Sequence, residues 1–223
     1  MSTCLITGAN RGIGLEFCRQ LKARGDSVIA VCRSASPALA EMEVEVVDGV
    51  DILDPASVSQ LTSRLRGRGI DILVNNAGVL RRDSLGTLGT ASVDDIILQF
   101  RTNSLGPVLV TESLMANLGE GSKVGIVTSR MGSVADNTSG GYYGYRMSKA
   151  AVNIAGVSLA RDLADRGIAV ALLHPGYVRT DMTGHEGFID ADESARGLIQ
   201  RLDDLTMERS GGFWHTNGEA LAW

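Results

Sequence analysis

Thr3-Cys4-Leu5-Ile6-Thr7-Gly8-Ala9-Asn10-Arg11-Gly12-Ile13-Gly14 is the stretch whose reading decides the fold. Thr3–Thr7 is a short apolar run of the kind that forms a buried strand. Thr7–Gly14 then turns, rich in glycine, into a helical pattern over Gly12–Arg24. Glycines let the backbone turn tightly and let a pyrophosphate reach a helix N-terminus, whose free N–H groups and dipole favour anions. The spacing is G-x-x-x-G-x-G rather than the more common G-x-G-x-x-G. Taken alone, it fits a purely structural turn as well as a nucleotide site.

Outward from this turn, strand and helix alternate. Ser27–Cys32, Glu43–Val47, Asp71–Asn75, Lys123–Ser129 and Ile168–His174 read as further strands, most of them rich in Val and Ile. Helical patterns lie at Pro55–Gly67, Ser92–Leu118 and Tyr143–Arg166, and Pro55 sits where a first helical turn tolerates proline. A helix near Asp190–Met207 and a short strand at Gly212–His215 close the chain. This alternation predicts an α/β fold: a Rossmann-type doubly wound parallel sheet of about seven strands with helices on both faces. With 223 residues and no repeat, linker or low-complexity segment, a single domain over residues 1–223 is expected. Ser133–Gly144 is the most loop-like stretch.

Composition narrows the partners. The chain is 44% hydrophobic and 21% charged, with a net charge of −5 and no long basic run. This argues against nucleic acid or an anionic membrane as partner. Cys4, Cys18 and Cys32 fall in apolar stretches at no zinc spacing and read as buried reduced thiols. No signal peptide or apolar run of membrane-spanning length is visible, so a cytoplasmic location is expected and the sequon Asn137-Thr138-Ser139 is expected to be unused. No carboxylate spacing around His174, His185 or His215 suggests a metal: His174 reads as structural and His185 as a solvated loop residue.

The second strand ends Val31-Cys32-Arg33-Ser34. An acidic residue at that end would bond the ribose hydroxyls of NAD, whereas a basic one suits the 2′-phosphate of NADP. No Asp or Glu is there, and Arg33 is well placed, with Arg11 in the glycine turn as a second phosphate partner. NADP(H) is therefore the preferred cofactor, with NAD(H) as the alternative. Farther on, Tyr145-Arg146-Met147-Ser148-Lys149 puts a phenol and an ammonium on one helix face, about one turn apart. The positive charge favours the phenolate and is expected to lower its pKa from about 10, making Tyr145 a proton donor or acceptor for a substrate oxygen near neutral pH. Pro107 lies four residues after Asn103, inside the helical pattern Ser92–Leu118. It has no N–H for the carbonyl of Asn103, and a kink is expected there.

Together these motifs resemble those of the short-chain dehydrogenases/reductases. Thr7–Gly14 resembles their T-G-x-x-x-G-[IL]-G, Asn75-Asn76-Ala77-Gly78 their N-N-A-G, Tyr145–Lys149 their Y-x-x-x-K, and Pro175-Gly176-Tyr177-Val178-Arg179-Thr180 their P-G-x-[VI]-x-T. The order is right and the resemblance covers essentially the whole chain. It implies an oxidoreductase that interconverts a small carbonyl compound and its alcohol, with hydride from the nicotinamide and the proton from Tyr145. It implies Asn103, Ser129, Tyr145 and Lys149 as the catalytic set. Ser129 lies 16 residues before Tyr145, a few more than is usual in the family, and the loop Ser133–Gly144 would absorb the excess. Ser133, 12 before Tyr145, is the rival, but it does not end the fifth strand.

The same resemblance implies a cofactor site built from Gly8, Asn10, Arg11, Gly12, Ile13 and Gly14, from Asp51 and Ile52 at the adenine, and from Asn75, Ala77 and Gly78 along the adenosine and ribose. Tyr145 and Lys149 would reach the nicotinamide ribose, and Pro175, Gly176, Val178 and Thr180 would lie at the carboxamide end. Residues 182–206 would supply a short substrate lid and its helix, with Met131, Tyr142 and Tyr143 across the pocket. The glycine-rich loop and the tail Gly211–Trp223 resemble a narrower group, the carbonyl-reductase-like proteins related to sniffer and to the C-factor signalling protein. That likeness keeps open a second reading, a nucleotide-binding sensor or signalling protein with little turnover. Small and apolar residues surround the helix after Tyr145, which is expected to be buried on most sides. In the family this helix and the one holding Asn103 often pair across a two-fold axis, so a homodimer or homotetramer is expected.

Overall fold

Leu5 and Ile6, adjacent in the first strand, are both fully buried, and they point into different cores. Successive strand residues face opposite sides of a sheet, so this sheet is covered on both. The computed structural model describes residues 1–223, with side chains for all but residues 90 and 91. Strands β1 (Thr3–Thr7), β2 (Ser27–Val31), β3 (Glu45–Val47), β4 (Ile70–Asn75), β5 (Leu118–Val127), β6 (Ala169–His174) and β7 (Gly212–His215) form one parallel sheet in the order β3-β2-β1-β4-β5-β6-β7. The helices are α1 (Gly12–Ala23), α2 (Pro37–Ala40), α3 (Pro55–Arg64), α4 (Thr90–Phe100), α5 (Gly106–Ser113), α6 (Tyr143–Asp162) and α7 (Ala191–Asp203).

Phe17, Cys18 and Leu21 of α1, with Leu198 and Leu202 of α7, cover the face that holds Ile6. Leu61 of α3, Val110 of α5 and Val152 of α6 cover the face that holds Leu5. Strands buried on both faces explain the unbroken Val/Ile runs. Each fully buried Leu or Ile contributes about 2 kcal/mol. The three cysteines are free and buried in the α1/α7 core. The expected fold is the one observed, seven parallel strands and one domain.

Where the elements differ from expectation, the cause is local. Ser92–Leu118 is not one helix: α4 runs into a π-turn over Arg101–Leu105 and then into α5, which stops at Ser113. Gly106 donates to the carbonyl of Arg101, five residues back, and Pro107 has no N–H to continue the ladder. The expected kink thus takes the form of a π-turn. Leu118 belongs to β5, which pairs Ile70 with Leu118 and Ile72 with Lys123, so Gly119–Ser122 form a bulge. Helix α7 ends at Asp203, and Met207–Arg209 is a separate 3-10 turn. Helix α2 went unforeseen; Ser36 caps it and Pro37 opens it. Helix α6 is buried or half-buried around most of its surface, and one stripe, Met147, Ile154 and Ser158, stands in solvent, with Met147 and Ile154 at 51% and 67% exposure.

Candidate active site

The sheet order reverses between β1 and β4, and ligands of such sheets bind at the strand ends there. At that point lies a cleft of about 630 Å³. Gly8 and Gly12 take left-handed conformations, φ +66° and +53°. Gly14 has a different need: a Cβ there would lie 2.2 Å from the Gly8 carbonyl oxygen and 2.5 Å from Asn76 Nδ2. Asn76 straps the turn, donating through Nδ2 to the carbonyls of Thr7 (3.0 Å) and Gly8 (3.2 Å). Thr7 Oγ1 accepts in return from the N–H groups of Asn76 (3.0 Å) and Ala77 (3.1 Å). No side chain of the N-cap, Arg11, caps α1, so the first-turn N–H groups face an open, glycine-lined floor that fits a pyrophosphate.

Asn10, Ile13, Arg33, Asp51, Ile52, Ala77, Gly78 and Thr180 also line this cleft, as the resemblance implies. Arg11 lines it too, but its guanidinium is engaged with Asp181 at 3.1 Å. Four residues of the implied cofactor site stand apart from this lining, and two more, Tyr145 and Lys149, lie beyond it. Asn75 is buried and donates to Thr111 Oγ1 (3.0 Å), and the next residue, Asn76, takes the place at the cleft. Strand alternation turns the two asparagines to opposite sides. Pro175 and Gly176 do not line the cleft, and Val178 is buried, bridged to Ile189. Arg179, passed over in the sequence, does line it, held by Asp190 (2.6 Å) and the carbonyl of Gly187 (2.9 Å). A second hollow, about 550 Å³ between α3 and α5, has Arg66 as its one ionisable lining residue among the described residues and brings no acid–base pair together.

The four residues of the expected catalytic set converge beyond Gly78. A Cβ on Gly78 would lie 3.2 Å from Asn103 Oδ1 and 3.9 Å from Lys149 Nζ. Asn103 sits in the π-turn and holds the strand-β4 loop: Oδ1 accepts from Val79 N–H (2.8 Å) while Nδ2 donates to Val79 O (2.9 Å) and Ser148 Oγ (3.0 Å). Lys149 Nζ lies 5.6 Å from the centroid of the Tyr145 ring and donates to the carbonyl of Val127 (2.9 Å). Ser129 stands two residues past the end of β5, capping a 3-10 turn over Arg130–Gly132. Gly132 lets that turn lie directly on α6: a Cβ there would come within 2.6 Å of the Lys149 backbone. Ser129 Oγ accepts from Met131 N–H (3.1 Å), and its hydroxyl faces Tyr145. The rival Ser133 is buried, and its hydroxyl accepts from Asp136 N–H (3.1 Å). Asp83 was not singled out from sequence, yet it holds the first turn of α6 from 60 residues away.

The electrostatics depart from the expected phenolate. Burial pushes the Tyr145 phenol up to about 12, with the Ser129 hydroxyl pulling the other way. Burial also pushes the Lys149 ammonium down to about 8. The ammonium is tied to a carbonyl rather than to the phenol oxygen, so desolvation outweighs charge attraction. Tyr145 is thus protonated at neutral pH. The ammonium binds fewer protons in the folded chain than in the unfolded one between about pH 8 and 10.5, so the cofactor-free protein gains stability as pH rises through that window. The shift from 10.5 to about 8 corresponds to at most roughly 3 kcal/mol. Lys149→Met is therefore expected to raise the thermal midpoint of the cofactor-free protein at pH 7 by up to roughly 6–12 °C. Scanning calorimetry at pH 7 and pH 10 checks this: the gain should shrink to about a quarter at pH 10, and an equal gain at both would contradict it.

His174, at the end of β6, packs edge-on against His215 with ring centroids 4.9 Å apart, and burial pushes it down to about 3. The segment after β6 contains a 3-10 turn at Asp181–Thr183. Phe188 of this segment is 84% exposed and rests edge-on against Tyr177, whose hydroxyl donates to Glu186 (2.8 Å). His185 is exposed and lies 3.3 Å from Asp181. Among the described residues no helix is long and apolar enough to cross a membrane.

A seven-stranded parallel sheet, a glycine-floored cleft at its switch point and a Ser-Tyr-Lys-Asn cluster beside it define a class of nucleotide-dependent oxidoreductase. A family model for short chain dehydrogenases matches residues 2–187, and the chain belongs to that family. It is 44% identical over 229 residues, spanning 100% of both chains, to the 1-hydroxy-2-glutathionyl-2-methyl-3-butene dehydrogenase of Rhodococcus sp. (strain AD45). It is 44% identical over 156 residues to the C-signal of Myxococcus xanthus, covering 69% of this chain and 93% of that one. The fold superposes on the NADPH-bound carbonyl reductase from chicken fatty liver with a TM-score of 0.90 at 29% identity, covering 100% and 99% of the two chains. These likenesses agree with the narrower resemblance read from the loop and tail.

Proposed function

We propose that this protein is an NADP(H)-dependent reductase that converts an aldehyde, ketone or quinone to its alcohol, or runs the reverse. One observation carries the reading: a buried, protonated Tyr145 beside Ser129 and Lys149 adjoins a dinucleotide-shaped cleft whose lining includes Arg33. The nicotinamide, when bound, supplies the hydride. Ser129 hydrogen-bonds the substrate oxygen and orients it. Tyr145 gives that oxygen a proton in reduction and takes it back in oxidation. Lys149 holds the ribose and places a positive charge near the phenol as it loses its proton. Pro107 denies the carbonyl of Asn103 an N–H partner, and that carbonyl is the acceptor for a water that resupplies the proton past Lys149. Residues 182–206 close over the substrate.

Arg33 donates to the 2′-phosphate of NADP. Losing such a charged pair costs about 1.5–3 kcal/mol, roughly 10- to 100-fold in affinity. Arg33→Ala should raise the NADPH Michaelis constant by that factor and leave the NADH constant within about twofold; equal effects on both would contradict the assignment. The Rhodococcus relative is named for a glutathionyl-substituted alcohol. Arg82 is close enough to Tyr177 for its charge to act on that phenol, which offers a cation to the carboxylates of such a conjugate. The direct test is NADPH oxidation with a panel of aldehydes, ketones, quinones and glutathione conjugates, with the alcohol identified by mass spectrometry. Alcohol formed in step with NADPH consumption supports the proposal, and NADPH binding with no product across the panel contradicts it.

The relationship to C-signal favours a second reading, a signalling protein on the same fold. A cellular phenotype that survives Tyr145→Phe would select it. For either reading, exposed apolar side chains at Phe100, Leu105, Leu109 and Ile154 offer a surface for the homodimer or homotetramer we propose.

A further inference from the structure

The first turn of α6 begins two residues before Tyr145, and its own N-cap does not hold it. Tyr142 occupies that position in a left-handed conformation, φ 51°, ψ 43°, and its side chain makes no capping bond. The partners come from the loop after β4. The carbonyl of Asp83 accepts from Tyr142 N–H (2.9 Å), and its carboxylate accepts from Tyr143 N–H and from Gly144 N–H (2.9 Å). A helix leaves its first N–H groups open, and a carboxylate there satisfies them and opposes the helix dipole.

The contact is close on every side. A Cβ on Gly144 would lie 2.6 Å from Gln99 Nε2, 2.8 Å from Ile96 Cγ1 and 3.0 Å from Asp83 Oδ2. Gln99 is fully buried, and its Oε1 accepts from Arg81 N–H (2.8 Å), which ties the same loop to α4. At the loop's other end, Asn103 clamps Val79 and donates to Ser148, whose hydroxyl donates to the Tyr145 carbonyl (2.8 Å). The loop therefore grips α6 on both sides of the tyrosine backbone. The same loop lines the dinucleotide cleft through Gly78, Val79 and Arg81.

We infer that Asp83 is a positioning residue for Tyr145: by pinning Tyr142–Gly144 it fixes the phenol relative to the loop that lines the dinucleotide cleft. The inference rests on Tyr145 as proton donor. Asp83 touches no reacting atom, and its effect is on where the phenol stands. A displacement of about 1 Å at a reacting group lowers turnover by up to about 100-fold.

The test compares wild type, Asp83→Ala and Asp83→Asn in the full chain. Amide hydrogen exchange over residues 142–148 is measured together with kcat, the carbonyl KM and the thermal midpoint. For Asp83→Ala, exchange at Tyr143 and Gly144 should rise by about tenfold or more and kcat should fall by at least about tenfold, with KM within about threefold. Asp83→Asn keeps one acceptor oxygen but turns an NH2 donor toward the second backbone N–H, so its kcat should fall between those of Asp83→Ala and the wild type. A folded Asp83→Ala with wild-type kcat, or with unchanged exchange at Tyr143 and Gly144, would overturn the inference. If Asp83→Ala does not fold, Asp83→Ser replaces it: faster exchange at Tyr143 and Gly144 with a lower kcat supports the inference, and wild-type values of either overturn it. If the wild type shows no Tyr145-dependent turnover, the oxidoreductase proposal fails, and the exchange at Tyr143 and Gly144 still decides whether Asp83 holds that turn.

Discussion

Tyr145→Phe is expected to lower kcat/KM for carbonyl reduction by about 1,000-fold while leaving NADPH affinity within about threefold. The substitution removes one oxygen from a buried ring and leaves the neighbours in place, so the loss falls on proton transfer and not on binding. Direction matters as well. With the phenol pushed up to about 12, reduction has its proton donor in place at neutral pH. Oxidation needs the phenolate, so its rate should climb about tenfold per pH unit above neutrality until a second group intervenes. Steady-state pH profiles in both directions check this. A Tyr145→Phe variant with more than a tenth of wild-type reduction would remove Tyr145 from the chemistry.

The second large effect concerns Gly14. Alanine there would press its Cβ to 2.2 Å from the Gly8 carbonyl and 2.5 Å from the Asn76 amide. Both neighbours belong to the strap that shapes the turn, so relief of the clash must distort the floor of the cleft. Overpacking of this kind costs about 1–3 kcal/mol, a drop of roughly 2–12 °C in thermal midpoint. NADPH affinity should fall by at least about tenfold. Gly69→Ala is the control: nothing lies within 4 Å of a Cβ there, and it should change neither quantity. Thermal midpoint and cofactor fluorescence titration measure both. Wild-type affinity in Gly14→Ala would show that the turn is only structural.

These two residues also mark what the sequence could disclose. Gly14 and the Tyr145–Lys149 pair lie in local patterns, a turn spacing and a helical repeat, and such patterns survive as strings. The doubly covered sheet was legible for the same reason, since parallel strands buried on both faces appear as unbroken apolar runs. The π-turn was only half legible. Pro107 announced a break near Asn103, but the helix–strand boundary near Leu118 depended on pairing with Ile70 across the sheet. Asn75 and Asn76 form one motif, and only strand alternation assigns the first to Thr111 and the second to the glycine turn. Asp83 had no signal, because helix capping is read from adjacent residues and this cap arrives from a distant loop. The phenol pKa was misjudged in sign because two residues one turn apart reveal their charges but not their desolvation.

The central claim is that this chain passes hydride and a proton to a carbonyl through Tyr145. It is tested most directly by single-turnover reduction with NADPH deuterated at the transferred C4 position, using a carbonyl from the reactive panel and reading the alcohol by mass spectrometry. The account predicts one deuterium at the carbinol carbon for each NADPH consumed in the wild type, and a rate about 1,000-fold lower in Tyr145→Phe. Alcohol without deuterium, or equal rates in the two proteins, would contradict it.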